Sequence, residues 1–282
     1  MCAQMSDLVA ESEPRTIGDG FKFTEGPLWH PDGFLLFTDI PASTIYRWEP
    51  GGQVLAWLKP SGNANGLTFD RQGNLLACEH GGRRVSRMGT DRQMNTVADS
   101  YDGKKLNSPN DIVCHSSGRI YFTDPPYGID PDPGEQGCNG VYRADPDGSV
   151  HRLFDDFGRP NGLAFSPDES LLYVNDTTNR HIRVSNVNAD GSLSNDHMFI
   201  DMNVEVTGSP DGMKLDVQGN VYCTGGGGIW VIDPQGNHLG TIPVPQQPTN
   251  IAFGGADMLT LYITARPVIC AINVKVPGVK VV

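Results

Sequence analysis

Residues 161–176 read NGLAFSPDESLLYVND, and the pattern of this stretch occurs six times along the chain. Each copy opens with a polar residue, continues with a short apolar run, passes a turn rich in Gly, Asp or Pro, and enters a second apolar run. Apolar runs joined by PDE, PDG or RQG turns are typical of β-hairpins. The stretch therefore predicts a hairpin whose first residue carries a side-chain oxygen.

The six copies begin at equivalent polar residues, which are Glu25, Asn65, Asn110, Asn161, Asp211 and Asn250. Successive starts are separated by 40, 45, 51, 50 and 39 residues, and two further strand-like segments follow most copies. Four strands in about 40 to 50 residues is the size of one β-propeller blade. The sequence therefore predicts an all-β chain folded as a six-bladed β-propeller.

The two ends of the chain indicate how the ring closes. The last repeat supplies only three strands, while residues 15–23 precede the first repeat as a strand without a partner. A closed ring accounts for both facts, because the N-terminal strand can form the outer edge of the sixth blade. We therefore expect an N-terminal tail over residues 1–14 and one propeller domain over residues 15–282.

The overall composition restricts the possible partners. The chain has 21 Lys and Arg against 33 Asp and Glu, a formal net charge of −12, and this balance argues against a nucleic-acid partner. The sequence contains no apolar stretch of membrane-spanning length and no signal-peptide pattern, so we expect a cytoplasmic protein without a membrane partner. Its six cysteines form no CxxC pair, which favours isolated thiols. A monomer or weak homo-oligomer is expected.

The repeat-starting residues point to a cation site. The first strand of each blade lines the channel of a propeller, so these six side chains should meet around its axis. Any one of them could simply cap its own turn, but oxygen-bearing residues at all six positions favour a shared function. Oxygen ligands without His or Cys suit a hard cation. We expect Ca²⁺, with Mg²⁺, Mn²⁺, Zn²⁺ or Fe²⁺ as alternatives.

Four segments, FTEGPLW, SPNDIV, RPNGLAFSPD and GSPDGMKLDVQGN, resemble the signature segments of the senescence-marker-protein, gluconolactonase and luciferin-regenerating-enzyme family. The resemblance extends from about residue 15 to residue 275 in the family's order and spacing. The segments CEHGGRRV and YFTDPPYG are similar to the bacterial gluconolactonase branch. The resemblance implies a six-bladed propeller with one divalent cation, usually calcium, and hydrolysis of a lactone such as gluconolactone.

The resemblance also implies roles for individual residues. Carried over position by position, it implies four metal ligands, which are Glu25, Asn110, Asn161 and Asp211. The same resemblance makes Asp211 the catalytic acid–base residue. The two remaining ring residues, Asn65 and Asn250, would line the channel without necessarily contacting the metal.

Three residues are expected to contact the substrate. Asn65 belongs to the ring, and His80 precedes two glycines in a loop near the channel mouth. Tyr127 lies in the longest insertion of the sequence, DPPYGIDPDPGEQGCNG, which is expected to cover the entrance. Its ring could stack on a cyclic substrate.

Two classes of function remain open at this point. The first is a metal-dependent lactonase, in which Asp211 either transfers protons or attacks as a nucleophile. Hydrolysis of organophosphates or phosphotriesters at the same metal site is an alternative within this class. The second class is a non-catalytic binding propeller in which the cation only joins the blades.

Overall fold

The structure is a computed structural model that describes residues 5–281, and it contains six four-stranded antiparallel sheets. These sheets are arranged as the blades of a β-propeller, which confirms the predicted all-β fold. Within residues 5–281, no helix is both long enough and apolar enough to cross a membrane. The five cysteines in this range are all free thiols, and Cys2 lies outside the described residues.

The first two blades follow a short N-terminal helix and a single strand. The chain begins with α1 (Met5–Leu8) and β1 (Arg15–Gly18). Blade 1 contains β2 (Thr24–His30), β3 (Phe34–Asp39), β4 (Thr44–Trp48) and β5 (Val54–Leu58). Blade 2 contains β6 (Ala64–Phe69), β7 (Leu75–Glu79), β8 (Arg84–Met88) and β9 (Met94–Ala98), and it is followed by a short hairpin of β10 (Ser100–Tyr101) and β11 (Lys104–Lys105).

The other blades follow the same plan. Blade 3 contains β12 (Ile112–Cys114), β13 (Ile120–Asp124), a 3-10 turn (Gly134–Gln136), β14 (Gly140–Ala144) and β15 (Val150–Phe154). Blade 4 contains β16 (Pro160–Phe165), β17 (Leu171–Asp176), β18 (His181–Val187) and β19 (Leu193–Asp201). Blade 5 contains β20 (Met213–Leu215), β21 (Val221–Gly225), β22 (Gly228–Ile232) and β23 (His238–Pro243). Blade 6 contains β24 (Asn250–Gly254), β25 (Thr260–Ala265) and β26 (Val268–Asn273).

Strand β1 completes the sixth blade. It pairs antiparallel with β26, with Arg15 opposite Ala271, and the strand order of this sheet is β1-β26-β25-β24. The predicted closure of the ring by the N-terminal strand is therefore confirmed. The strand is shorter than expected, because it ends at Gly18 and residues 19–23 form a loop into β2.

The hydrophobic core is divided into six clusters, and each cluster fills one interface between neighbouring blades. Strand β3 shows how this arises. Leu36 packs towards blade 2, while Leu35 and Phe37 pack towards blade 6, and all three are at most 1% exposed. The second strand of a blade is thus apolar on both faces, which is why the sequence shows continuous apolar runs at these positions.

Glycines after the repeat-starting residues allow the innermost strands to approach one another. A Cβ atom on Gly26 would lie 1.9 Å from the carbonyl oxygen of Asn65, and one on Gly162 would lie 2.2 Å from that of Asp211. The Gly162 amide also donates to the Asp211 carbonyl at 3.0 Å. Only glycine fits at such distances. The recurring EG, NG and DG pairs therefore let four of the six starting residues approach the neighbouring innermost strand closely.

Candidate metal and substrate site

The six repeat-starting residues lie together at one end of the channel, at or just before the start of the innermost strands. The Nδ2 atom of Asn65 donates to Oδ1 of Asn110 at 2.6 Å. The Nδ2 atom of Asn110 donates in turn to Oδ1 of Asn161 at 2.6 Å. Across the ring closure, Nδ2 of Asn250 donates to Oε2 of Glu25 at 3.0 Å. The spacing of the repeats thus predicted the ring correctly.

Hydroxyl groups from the second strands hold the ring in place. The Thr38 hydroxyl donates to the Asn65 carbonyl at 3.2 Å, and the Thr123 hydroxyl donates to the Asn161 carbonyl at 2.8 Å. In both cases the threonine belongs to one blade and the ring residue to the next. Each of these ring residues is therefore positioned by two blades, which limits its freedom to move.

The two acidic ring residues are in an environment that opposes their ionisation. Burial raises the pKa of the Glu25 carboxyl to about 7, and the charge of Asp111 adds to the shift. Desolvation also raises the pKa of Asp211 well above its ordinary value, with further contributions from Glu25 and Asp111. The charges of Lys214 and Arg266 act in the opposite direction but are outweighed. This end of the channel therefore favours an added positive charge.

The chemistry of the donor set fits a hard divalent cation. Within residues 5–281, no three His, Cys, Asp or Glu side chains converge closely enough to hold a metal ion, so amide oxygens are needed as ligands. Asn161 Oδ1 accepts one hydrogen bond, which leaves a second lone pair, whereas Asn110 Oδ1 accepts from Asn65 at 2.6 Å and also lies 3.3 Å from His80 Nε2. Two carboxylates and two amides are a ligand set that calcium accepts.

His80 and Tyr127 lie beside the ring. The His80 Nε2 atom is 3.2 Å from Asn65 Nδ2 and 3.3 Å from Asn110 Oδ1. The Tyr127 hydroxyl accepts a hydrogen bond from Asn161 Nδ2 at 3.3 Å, and the His80 and Tyr127 ring centroids are 6.2 Å apart. Burial lowers the pKa of His80 to about 4 and raises the pKa of Tyr127 to about 12. Both side chains are therefore neutral near pH 7.

Asp111, which was not predicted as a site residue, is 2% exposed and faces Glu25. A signal for it was present in the repeats. The residue after the starting residue is Gly in four of the six copies, whereas in the third copy it is Asp. An aspartate at this position adds a carboxylate to the axis, where four of the other copies have no side chain.

Thr177 and Arg266 were also missed. The Thr177 hydroxyl accepts a hydrogen bond from Asn161 Nδ2 at 3.0 Å and donates to the Pro210 carbonyl at 2.8 Å. Arg266 has a φ of 53°, and its carbonyl accepts the Thr24 amide at 2.8 Å, which fixes its backbone beside the residue that precedes Glu25. Neither residue belongs to the repeated pattern, so the sequence offered no signal for them.

The opposite end of the channel is an apolar chamber of about 340 Å³. Each innermost strand contributes to its lining, through Pro27, Leu67, Ile112, Ala164, Leu215 and Ala252. The lining is mainly apolar, but it also includes residues 279–281 and the charged side chains of Arg71, Asp168, Glu169 and Lys214. The same six strands thus form a polar ring at one end and an apolar chamber at the other.

Comparison with known proteins agrees with this geometry. Residues 23–266 match the SMP-30/Gluconolactonase/LRE-like region. A gluconolactonase from Zymomonas mobilis is 36% identical over 289 residues, which cover 93% of this chain and 81% of that protein. The pentonolactonase XacC from Haloferax volcanii is 30% identical over 257 residues, which cover 89% of this chain and 84% of that protein.

A solved structure shows the same fold at similar sequence identity. The gluconolactonase XC5397 from Xanthomonas campestris superposes with a TM-score of 0.88 at 34% identity, and the match covers 96% of this chain and 92% of that one. The family match covers most of the chain, and the relatives match it over most of their own length. The protein therefore belongs to the SMP-30, gluconolactonase and luciferin-regenerating-enzyme family.

Proposed function

We propose that this protein hydrolyses a sugar lactone with the help of a divalent cation, calcium by the chemistry of the donors. The observation that carries the proposal is the convergence of a buried carboxylate, Glu25, a half-buried one, Asp211, and two amide oxygens at one end of the channel. The relatives named gluconolactonase and pentonolactonase support a cyclic ester as the substrate.

The proposed ligands are Glu25, Asn110, Asn161 and Asp211. When bound, the cation would polarise the lactone carbonyl and offset the negative charge that develops on its oxygen. Glu25 and Asp211 would neutralise the cation, and the two amides would complete its protein ligands without adding charge.

Asp211 is the proposed proton-transfer residue. It is partly exposed to solvent, whereas Glu25 is 2% exposed, so water can reach Asp211 more readily. Desolvation first, and then the charges of Glu25 and Asp111, raise the pKa of Asp211, so its carboxylate is a stronger proton acceptor than that of an exposed aspartate. In this role Asp211 removes a proton from the attacking water and gives one to the leaving alkoxide oxygen, which becomes a hydroxyl group of the opened ring.

Asn65, His80 and Tyr127 form the proposed substrate-binding wall. All three are neutral hydrogen-bonding groups near pH 7, and they lie around Asn110 and Asn161. Neutral donors and acceptors of this kind suit the hydroxyl groups of a sugar ring. This composition favours an uncharged polyhydroxylated lactone, for which gluconolactone is the first candidate.

The test is hydrolysis of a six-carbon and a five-carbon aldonolactone, followed with a pH indicator after subtraction of the spontaneous rate. We expect turnover with calcium, loss of turnover after chelation, and recovery when calcium is restored. Full turnover in metal-free protein would overturn the metal requirement. Metal binding without turnover of either lactone would instead favour a binding propeller.

A further inference from the structure

Asp111 is the residue that departs from the glycine pattern of the ring. It follows the proposed ligand Asn110 and precedes β12, and it is 2% exposed. In four other blades the corresponding residue is Gly, so no side chain enters the channel there. Blade 3 therefore places an additional buried carboxylate close to the ring.

The contacts of Asp111 fix its carboxylate next to Glu25. Its Oδ1 accepts the Ile112 amide at 2.9 Å. Its Oδ2 lies 3.4 Å from Nδ2 of Asn250, and the same nitrogen donates to Oε2 of Glu25 at 3.0 Å. One amide group thus lies between the two carboxylates and orients both of them.

Lys214 approaches Asp111 from the chamber side. It belongs to β20, its Nζ lies 3.9 Å from Asp111 Oδ2, and it donates to the Met213 carbonyl at 3.0 Å. Lys214 also lines the apolar chamber. The pair therefore lies where the polar ring meets the chamber, with Asp111 towards the ring and Lys214 behind it.

We propose that Asp111 and Lys214 are positioning residues that set the charge, and hence the cation affinity, of the ring without binding the cation themselves. This inference rests on the proposed metal-dependent function. Asp111 adds a negative charge and orients Asn250 against Glu25, so it strengthens cation binding. Lys214 adds a positive charge close to the ring, so it weakens cation binding while it stabilises the buried Asp111.

The two charges predict effects of opposite sign. Opposite and like charges a few ångströms apart in a partly buried site change a binding equilibrium measurably, and each tenfold change in affinity corresponds to about 1.4 kcal/mol. We therefore expect Asp111→Asn to lower calcium affinity about tenfold or more. Lys214→Met should raise calcium affinity, and the double variant should lie between the two single variants.

The experiment is calorimetric titration of the purified full-length protein and its variants with calcium at one fixed pH. Asp111→Glu keeps the charge and should retain affinity close to the native value. Asp124→Asn is the matched control, since Asp124 is a buried carboxylate of the same blade that accepts the Asn107 amide instead of facing the ring. Its calcium affinity should be unchanged.

The outcomes separate this inference from the proposed function. A lower affinity for Asp111→Asn together with a higher affinity for Lys214→Met supports the pair. If both variants lose affinity together, or neither changes, the pair serves packing alone and the inference is wrong. A native protein that binds no calcium, magnesium or manganese overturns the metal-dependent function itself, and the inference with it.

Discussion

The two ends of the channel are built from the same six strands but have opposite chemistry. At one end Glu25 and Asp211 are desolvated carboxylates surrounded by amides. At the other end Leu67 and Leu215 line an apolar chamber. Leu67 lies only two positions after the ring residue of its strand, and Leu215 lies four positions after Asp211. A single short strand therefore contributes to both the site and the core.

The contrast indicates that the ring residues needed for function destabilise the fold, whereas the chamber residues stabilise it. Buried carboxylates that repel one another oppose folding unless a cation joins them. The chamber side chains, by contrast, add apolar burial to the interfaces between blades. Changes to the apolar side chains of the chamber should therefore alter stability alone, and changes at the ring should alter cation binding and catalysis.

The largest effect is expected at the chamber. Leu215 is 3% exposed and packs in the cluster between blades 4 and 5. Leu215→Ala should lower the free energy of unfolding by about 2–5 kcal/mol, since it removes a buried side chain and leaves a cavity. Denaturant unfolding measures the loss, and calorimetry should show unchanged calcium affinity. A marked loss of calcium affinity would show that the two ends are not independent.

Asp211→Asn should have the next largest effect. The substitution keeps an oxygen that can bind a cation but removes the proton acceptor, so the lactonase rate should fall by about two orders of magnitude or more. The matched control is Asp216→Asn, which changes a buried aspartate of the same blade that accepts the Gln218 and Asn220 amides. A near-native rate in Asp211→Asn would place proton transfer on another residue.

Glu25→Gln tests the ring as a source of cation-dependent stability. A ligand at a hundredfold excess over its Kd stabilises the folded state by about 2.7 kcal/mol. The native protein should melt at a higher temperature with calcium, and the variant should lose most of this gain at low calcium. High calcium should restore both melting temperature and hydrolysis. If stability returns without hydrolysis, Glu25 takes part in catalysis directly.

The last prediction concerns pH, and its effect on the free energy of unfolding is small for each step: at most about 1.4 kcal/mol per pH unit for one proton. The pKa of Glu25 is raised from 4.5 to about 7 in the folded, calcium-free protein, so the native state binds more protons than the unfolded chain between these values. The stabilising contribution of Glu25 to the free energy of unfolding is therefore fully present below about pH 4.5, and it is lost as the pH rises through 7.

Melting temperatures at about pH 5, 6, 7 and 8, with and without calcium, measure this effect. The increase in melting temperature that calcium causes should become larger as the pH rises over this range, because cation binding needs the ionised carboxylate. Glu25→Gln isolates the contribution of this group from those of other titrating residues. Without calcium, the melting temperatures of the native protein and the variant should differ by an amount that depends on pH. A difference that stays constant with pH would contradict the raised pKa of Glu25.

The sequence was sufficient to predict the blades and the ring but not everything that surrounds the ring. Repeat spacing shows which residues occupy equivalent positions, and equivalent positions in a closed ring must meet at the axis. The contacts of Thr177 and Arg266 depend instead on turns that differ from blade to blade. Asp111 could have been found by comparing the residue after each starting residue, since it replaces a glycine.

Closure by β1 has a consequence for how the protein is made. The pairing of Arg15 with Ala271 joins β1 to β26, and the first five blades lie between these two strands in the sequence. Contacts between such distant parts of a chain form slowly, because a very long loop must close first. A growing chain on the ribosome therefore cannot complete its sixth sheet before residues 268–273 have emerged. Until then β1 lacks its pairing partner, and the ring closes only when the sixth blade forms.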